Sequence, residues 1–266
     1  MAEPSRIDAQ ESLQLATEFL VIGWYYYIYK KGEPNPPSLS ELWELVVFLF
    51  NARQHPDLPL EDLPEREISG SSMKAYRKRL THIFHLSIDF QAGYVDYHTN
   101  NDSQKHERIR LLLGYYLSSN LHTFSDESLE LLLKNVKPDR EVGNADRIGE
   151  LLAFYYVIVF QNAARLGMHV DLRYRHLMGK DTTDRRLLPL AIVNRAPYLN
   201  LIARDQKDNR IKQFVMSSII SLKTDFFREA RKVQAGGDAR HEAFDYEAYK
   251  KDPEYRFLRP LRRYRF

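Results

Sequence analysis

Residues 168–222 carry the pattern that most constrains what this chain can fold into. They contain four or five short apolar segments, each closed by a turn signal. In residues 169–174 apolar and charged side chains alternate, as in a strand with one buried face. Further strands are predicted at residues 186–193, 198–203 and 211–216. Because closing a small sheet on itself removes its exposed edges, we predict a small β-barrel.

Three local features add detail to this predicted barrel. Pro189 lies inside the second predicted strand, and proline cannot donate to a strand ladder, so an edge or a bulge is expected there. The polar run at residues 205–209 predicts a turn between the last two strands. Residues 181–184 contain two carboxylates separated by two threonines, and we interpret them as a hairpin loop.

Charge is distributed unevenly along the 266 residues. Residues 1–167 contain 17 Lys/Arg and 23 Asp/Glu, whereas residues 168–266 contain 22 and 13, so a net charge of −6 is followed by +9. A basic second part suggests an anionic partner such as nucleic acid or a phosphorylated small molecule. A solvated basic surface without such a partner is the alternative.

The part before the barrel is predicted to be mainly helical. Apolar residues recur at helical spacing in residues 10–29, 39–52, 104–117, 127–136 and 145–166. Ser38 followed by Glu41 predicts a capping box at the start of the second helix. The sequence therefore predicts an α+β protein, with helices first and a barrel after them.

A basic helix and a hairpin interrupt this helical part. Residues 68–80 predict a helix capped at Ser71 or Ser72, and two short alternating segments follow, separated by Gln91, Ala92 and Gly93. The predicted order of elements is that of a winged helix-turn-helix: two helices, a basic helix and a two-stranded wing. Such a helix can enter a major groove and contact base edges and phosphates.

The predicted DNA-binding residues lie on this third helix. Four basic residues fall within six positions there, and two serines precede them. The candidates are Ser71, Ser72, Lys74, Arg77, Lys78 and Arg79. An exposed basic helix on an otherwise acidic domain, without any DNA contact, is the competing interpretation.

The order of motifs in the barrel resembles the WYL domain, a ligand-sensing module of bacterial transcription regulators. Two alanines precede the strand that ends at Tyr174, an Arg-to-Pro segment covers residues 185–189, and Tyr198 and Leu199 follow. A last segment covers residues 212–219. The spacing of that family is kept, but the residue types differ from it at Pro197, Lys212, Val215 and Ser218. The basic pocket of the family therefore has fewer arginines here.

This resemblance implies an Sm- or SH3-like barrel that binds an effector, either single-stranded nucleic acid or a nucleotide-like signal. Aromatic faces can stack on bases, and basic side chains can pair with phosphates. The candidate effector-binding residues are Tyr174, Arg175, Arg185, Tyr198, Arg210 and Lys212. For each tyrosine, ordinary packing inside the barrel is the alternative.

Residues for catalysis or metal binding are not evident. The chain has no cysteine, and it contains no phosphate-binding glycine loop or nucleophile elbow. His82 and His85 share a helix face without the further ligands that a metal site needs. No catalytic residue, metal or cofactor is therefore predicted. An enzyme acting on a nucleotide would need a general base beside Arg185, and the sequence offers none.

The C-terminal residues 253–266 carry five arginines interleaved with four aromatic side chains. This composition suits nucleic acid. In the resembled family an extension after the barrel contacts the partner subunit, and a docked structural tail is the favoured interpretation here. The N-terminus lacks the profile of a signal peptide, so a soluble cytoplasmic protein with no membrane partner is expected.

We therefore predict a DNA-binding transcription regulator with a helical and winged-helix domain at residues 1–120, a helical linker at 121–166, a barrel at 167–223 and an extension at 224–266. Such a regulator is expected to bind duplex DNA as a homodimer, with residues 15–29 and 151–160 as candidate contact surfaces. An accessory protein that binds single-stranded DNA or RNA through the barrel, and protein through the winged helix, is the alternative.

Overall fold

The computed structural model of the protein describes residues 8–31, 35–66, 68–89, 94–97, 102–120, 126–136, 145–176, 181–195, 197–236 and 244–251. Within these residues a mainly helical part precedes a five-stranded antiparallel sheet, and two short helices follow the sheet. This arrangement is the α+β fold that the sequence predicts. The arginine-rich tail at residues 253–266 lies outside the described residues.

The part before the sheet consists of helices and one hairpin. In chain order they are α1 (Ala9–Trp24), α2 (Leu39–Gln54), α3 (Gly70–Phe84), β1 (Leu86–Asp89), β2 (Tyr94–Tyr97), α4 (Asp102–Asn120), α5 (Asp126–Asn135) and α6 (Ala145–Leu166). Every helix predicted from apolar spacing is present. Past Trp24 the first helix widens into a π-helix, Tyr25–Tyr29, which places the ring of Tyr25 face to face with that of Tyr155.

Two serines define where α2 and α3 begin. Ser38 accepts a hydrogen bond from the Glu41 amide and Glu41 accepts one from the Ser38 amide, so the predicted capping box is confirmed. The prediction that Ser71 or Ser72 caps α3 is wrong. Ser69 has the extended backbone of a cap and accepts a hydrogen bond from the Ser72 amide, so the helix starts earlier.

Helix α6 lies at the centre of the molecule. Its residues 151–160 are all buried, and the helix packs against α1, α2, α4, α5 and the sheet. A helix that is apolar on all sides is expected in such a position. The structure corrects one prediction, because residues 151–160 and the buried residues 13–24 of α1 are covered within one chain. These surfaces are not available to a partner subunit.

The sheet contains β3 (Val170–Arg175), β4 (Thr182–Arg195), β5 (Tyr198–Asp205), β6 (Arg210–Val215) and β7 (Ile219–Leu222), in the spatial order β6-β5-β4-β3-β7. The last strand returns to pair with the first. A three-residue 3₁₀ turn, Met216–Ser218, joins the two outermost strands. Because so short a turn brings both ends of the sheet together, the sheet must curl, as the predicted barrel requires.

Strand β4 is longer than the sequence predicts. Thr182, Thr183 and Asp184 belong to the strand and pair with β3, so the interpretation of residues 181–184 as a hairpin loop is wrong. Ion pairs explain the difference, since Asp184 contacts Arg173 on the neighbouring strand β3 and Lys223, which follows β7. The irregularity expected at Pro189 is present, because the register with β5 shifts between Pro189 and Ala191.

Helices α7 (Phe226–Gln234) and α8 (Tyr246–Lys251) follow the sheet. The Tyr26 hydroxyl, in the π-helix, donates to Oδ1 of Asp225 at 2.9 Å and accepts from the Phe227 amide at 2.9 Å. Asp225 is also the N-cap of α7, so the start of this helix is fixed against the first helix of the chain. None of the described helices is long and apolar enough to cross a lipid bilayer.

Candidate functional site

One face of the sheet carries most of the residues proposed for effector binding. Residues directly opposite in a ladder share a face, and Arg185 is opposite Leu172. Asp205 is opposite Leu187 and Lys212 is opposite Ala203. These polar residues therefore lie on the same side as buried Val170, Leu172 and Tyr174, a side called here the Tyr174 face. They occupy its end next to the β5–β6 turn.

Asp205 organises this end of the sheet. Its side chain is 1% exposed, and its Oδ2 accepts hydrogen bonds from Arg185 Nη1 at 3.0 Å and Lys212 Nζ at 2.8 Å. Lys212 Nζ also lies 2.6 Å from Oδ2 of Asp208. Arg185, Asp205, Asp208 and Lys212 are called the Asp205 cluster. Neither aspartate was among the predicted site residues, although both lie at the turn that the sequence predicts.

The cluster keeps its groups ionised. Burial alone would raise the pKa of Asp205, but hydrogen bonds from Lys212 and the Lys207 amide, with the charges of Lys212 and Arg185, bring it below its usual value. Burial opposes charge on Lys212 as well, and its bonds to Asp205 and Asp208 nevertheless raise its pKa. Two cations are thus held in fixed positions at the end of the sheet next to the β5–β6 turn, where the partly exposed Lys212 can be reached by an anion.

Tyr174 lies on the same face of the sheet as the cluster, but its side chain is packed in the hydrophobic core. Its side chain is 7% exposed, its hydroxyl accepts a hydrogen bond from the Val215 amide at 3.3 Å, and its ring meets Phe214 edge to face. Burial raises the pKa of this hydroxyl. A buried ring cannot stack on a base that arrives from solvent, so Tyr174 supports the cluster as part of the core.

The other three effector candidates are divided among different places. Arg210 is exposed and lies opposite Asp205 in the β5–β6 ladder, next to the cluster. Arg175 follows Tyr174 in β3 and therefore points to the opposite face. Tyr198 is half-buried at the other end of β5, about 23 Å from Asp205 at the usual rise of a strand. The structure thus brings only Arg185, Arg210 and Lys212 together.

The opposite side of the sheet, called the Asp171 face, carries a ladder of ion pairs. Arg173 lies 3.2 Å from Asp184, Lys223 lies 2.5 Å from the same carboxylate, and Arg186 lies 3.4 Å from Asp171. Hydrogen bonds from Lys223 and Arg173 lower the pKa of Asp184. Because two carboxylates offset most of the charge of these three cations, this face contributes less positive potential than its arginine content suggests.

The predicted DNA-binding residues on α3 point in two directions. Arg79 Nη1 donates to Ser12 of α1 at 2.5 Å, and the Arg77 guanidinium lies 5.7 Å from the ring centre of Phe19. Both arginines therefore fix α3 against α1. Lys74 and Lys78 are exposed, lie four residues apart on one face, and form no ion pair within the described residues.

Ser71 shares this exposed face, at the start of α3. Its hydroxyl lies 2.8 Å from that of Ser69, and the hydroxyl of Ser72 lies 3.1 Å from the same atom. Ser71, Lys74 and Lys78 are called the α3 outer face. Strands β1 and β2 follow α3 directly and pair in antiparallel register. The order of elements is that of the predicted winged helix.

The connection between α2 and α3 is longer than the short turn of a helix-turn-helix. It spans residues 55–69 and is fixed on α2, since Trp43 Nε1 donates to the Ile68 carbonyl at 3.0 Å and Asn51 Nδ2 to the Pro64 carbonyl at 2.7 Å. Arg165 of α6 holds its beginning through the carbonyl oxygens of Ala52, His55 and Leu58.

Among the described residues no group of His, Asp and Glu has the arrangement of a metal site. His82 and His85 are both exposed, and His85 ends α3 with a left-handed backbone. Both imidazoles lie at the end of the helix, and the part of the chain that the structure describes supplies no further ligands beside them.

One family model and one solved structure are similar to parts of this chain. Residues 156–224 match the family model of the WYL domain. A solved structure, the Proteasome accessory factor B/C (PafBC) of Arthrobacter aurescens, is similar at 14% sequence identity and a TM-score of 0.25, covering 81% of this chain and 38% of that chain. This chain thus spans 38% of the length of that protein. No curated protein matches the chain.

The matched segment has clear structural limits. It begins inside α6, contains all five strands of the sheet, and ends at Thr224, directly before the N-cap residue of α7. It thus includes the Asp205 cluster and the part of α6 that packs on β4. Residues 156–224 are thus similar to a WYL domain, and they are called the WYL domain below.

Proposed function

We propose that this protein is a DNA-binding transcription regulator whose WYL domain senses an anionic effector. One observation carries the proposal: a helix with an exposed basic outer face, followed by a hairpin, occurs in one chain with a WYL domain. The α3 outer face supplies two lysines for phosphates and the first turn of a helix for base edges. Two copies of the chain on a palindromic operator would follow the two-fold symmetry usual for such regulators.

Fluorescence anisotropy with duplex DNA from the promoter of its own gene tests this proposal. Lys74→Ala/Lys78→Ala is expected to weaken binding about tenfold and to reduce the slope of log K against log salt by about 2, since each phosphate contact contributes about 1. The matched control is Lys31→Ala/Lys232→Ala, which removes the same charge from exposed positions elsewhere. Equal affinities of the two double variants would refute a role of the α3 outer face.

The effector is expected at the Asp205 cluster. Asp208 is exposed and contacts only Lys212 within the cluster, so a phosphate can replace it there without breaking the buried bonds of Asp205. Arg210 stands beside this position and would add a second contact. Arg–phosphate and Lys–phosphate bonds of this kind are charge-assisted and strong. Single-stranded nucleic acid and nucleotides both supply such phosphates.

Effector binding and DNA binding are expected to be linked. Adding a short single-stranded oligonucleotide should change the duplex affinity of the wild type and leave that of Arg210→Ala/Lys212→Ala unchanged. The control variant is Arg186→Ala. Arg186 pairs with Asp171 on the opposite face, so this change removes a positive charge from the sheet and leaves the Asp205 cluster intact. An identical response of both variants would place the effector elsewhere.

The charge distribution also supports a second function, that of a nucleic-acid-binding accessory protein. The net charge of −6 in residues 1–167, together with the contacts of Arg77 and Arg79 with α1, favours an accessory protein that binds single-stranded DNA or RNA through its basic second part. Tight binding of the single strand combined with duplex binding that Lys74→Ala/Lys78→Ala does not alter would establish this function instead.

A further inference from the structure

A cavity of 540 Å³ lies between the helical part and the WYL domain, away from the Asp205 cluster. Helices α1, α2, α4 and α6 form one wall, the part of β4 beyond the Pro189 bulge forms another, and α8 contributes Tyr246. This volume lies within the usual range of small-molecule sites. The cavity is thus large enough for a mononucleotide.

An unpaired amide faces this cavity. Gln14 of α1 lines it and is 6% exposed, and its side chain forms no hydrogen bond within the described residues. A buried amide without partners costs free energy unless water or a ligand satisfies it. Gln161 of α6 also lines the cavity, and its Oε1 is buried without a hydrogen-bond partner in the part of the chain that the structure describes.

The lining combines these amides with an apolar strip and positive charge. Leu190, Ile192 and Val193 form the strip on β4. The lining contains no Asp or Glu and two arginines, of which Arg53 is paired with Glu18 of α1. Arg165 uses Nε and Nη2 for the carbonyl oxygens at the end of α2, which leaves the N–H groups of Nη1 without a partner among the described residues. Arg165 can therefore donate to an anion.

We propose that this cavity binds an adenine mononucleotide. A glutamine amide presents a donor and an acceptor side by side, which matches the N6 and N7 edge of adenine. The apolar strip covers the flat base, and a guanidinium donates to the phosphate. The site is independent of the proposed function, because it would bind the same ligand whether the target of the protein is DNA or RNA.

A ligand here would contact the helical part and the WYL domain at once. Gln14 belongs to α1, Arg165 to the end of α6, and the apolar strip to β4. Occupancy therefore fixes the two parts against each other, and the protein with ligand is more stable than without it by simple mass action.

Equilibrium dialysis of the full chain with radiolabelled AMP tests the proposal, with adenosine and inorganic phosphate as competitors. Gln14→Leu, which removes the amide at similar size, is expected to weaken AMP binding at least tenfold. Ala164→Met, which fills the cavity from α6, is expected to abolish it. Gln234→Leu on α7 is the matched glutamine control and should bind like the wild type. Urea unfolding of each variant checks that the fold is intact.

Because AMP also carries the kind of phosphate that the Asp205 cluster is proposed to bind, the titration is repeated in the Lys212→Ala background, where the AMP binding that depends on Gln14 should be unchanged. Loss of AMP binding in Lys212→Ala with retention in Gln14→Leu and Ala164→Met would overturn the proposal and assign the nucleotide to the Asp205 cluster. Absence of saturable binding up to about 1 mM AMP would overturn it as well.

Discussion

Lys212 Nζ lies 2.8 Å from Oδ2 of Asp205, and the same oxygen accepts a hydrogen bond from Arg185 at 3.0 Å. A single buried carboxylate thereby joins three strands of the WYL domain, since Arg185 belongs to β4, Asp205 to β5 and Lys212 to β6. The proposed effector would exploit this arrangement, because both cations are already positioned before any anion arrives.

Asp205→Asn is expected to destabilise the protein by about 2 kcal/mol, because hydrogen bonds to charged groups contribute about 1.5–3 kcal/mol and two cations would lose their common partner. Urea unfolding at neutral pH measures this loss. Asp184→Asn, in the exposed pairs of the Asp171 face, is the control and should cost under about 1 kcal/mol. Equal losses in the two variants would contradict a structural role of the buried carboxylate.

The stability from Asp205 is expected to depend on pH in one direction. Its pKa is lowered in the folded protein, so its contribution is complete above the unfolded value of about 3.9 and is lost as the pH falls through the folded value. The difference in unfolding free energy between wild type and Asp205→Asn should therefore be constant above about pH 5 and shrink below about pH 4. Urea titrations from neutral to acidic pH measure this difference. A difference that grows as the pH falls would contradict a lowered pKa of Asp205.

Arg165→Met is expected to destabilise the protein by about 3 kcal/mol. The guanidinium donates to the carbonyl oxygens of Ala52, His55 and Leu58, and methionine would leave these acceptors at the end of α2 without it. Thermal unfolding compares this variant with Arg228→Met, whose side chain is 67% exposed. A midpoint of Arg165→Met equal to that of Arg228→Met would show that α2 ends without this cap.

Glu18 and Arg53 are expected to be strongly coupled. They form a buried ion pair in which Tyr116 also donates to Glu18, at 2.8 Å, and Arg53 donates to Asn162. Glu18→Leu or Arg53→Met alone leaves a buried charge and should cost about 3–5 kcal/mol. The double variant should cost less than the sum by at least about 1 kcal/mol in a double-mutant cycle of urea unfolding. Additive losses would show that the pair contributes no coupling energy.

Several elements follow from local chemistry, and the sequence alone predicted them. Ser38 and Glu41 form a capping box whatever α2 packs against, because both partners lie within one turn. Pro189 disturbs the register of β4 because it lacks an amide hydrogen. The apolar spacing of α6 and the alternation of β3 depend on the periods of helix and strand, which the order of residues expresses directly.

The direction in which each basic or aromatic side chain points depends on tertiary contacts and could not be predicted from the sequence. Arg77 and Lys78 are neighbours in the sequence with the same charge, but Arg77 contacts Phe19 of α1, whereas Lys78 is exposed. Tyr174 and Tyr198 both belong to predicted strands, and only the pairing of those strands in the sheet shows that Tyr174 is a core residue and Tyr198 lies at the far end of β5.

The sequence by itself thus determined the α+β class, the positions of helices and strands, and the resemblance of residues 168–222 to a WYL domain. Only the tertiary structure decided that Asp205 gathers Arg185 and Lys212, that two of the four basic residues on α3 face α1, and that Gln14 faces a cavity next to β4. Helix and strand patterns express interactions between residues a few positions apart. Contacts between residues distant in the sequence depend on how the elements pack, which no local pattern encodes.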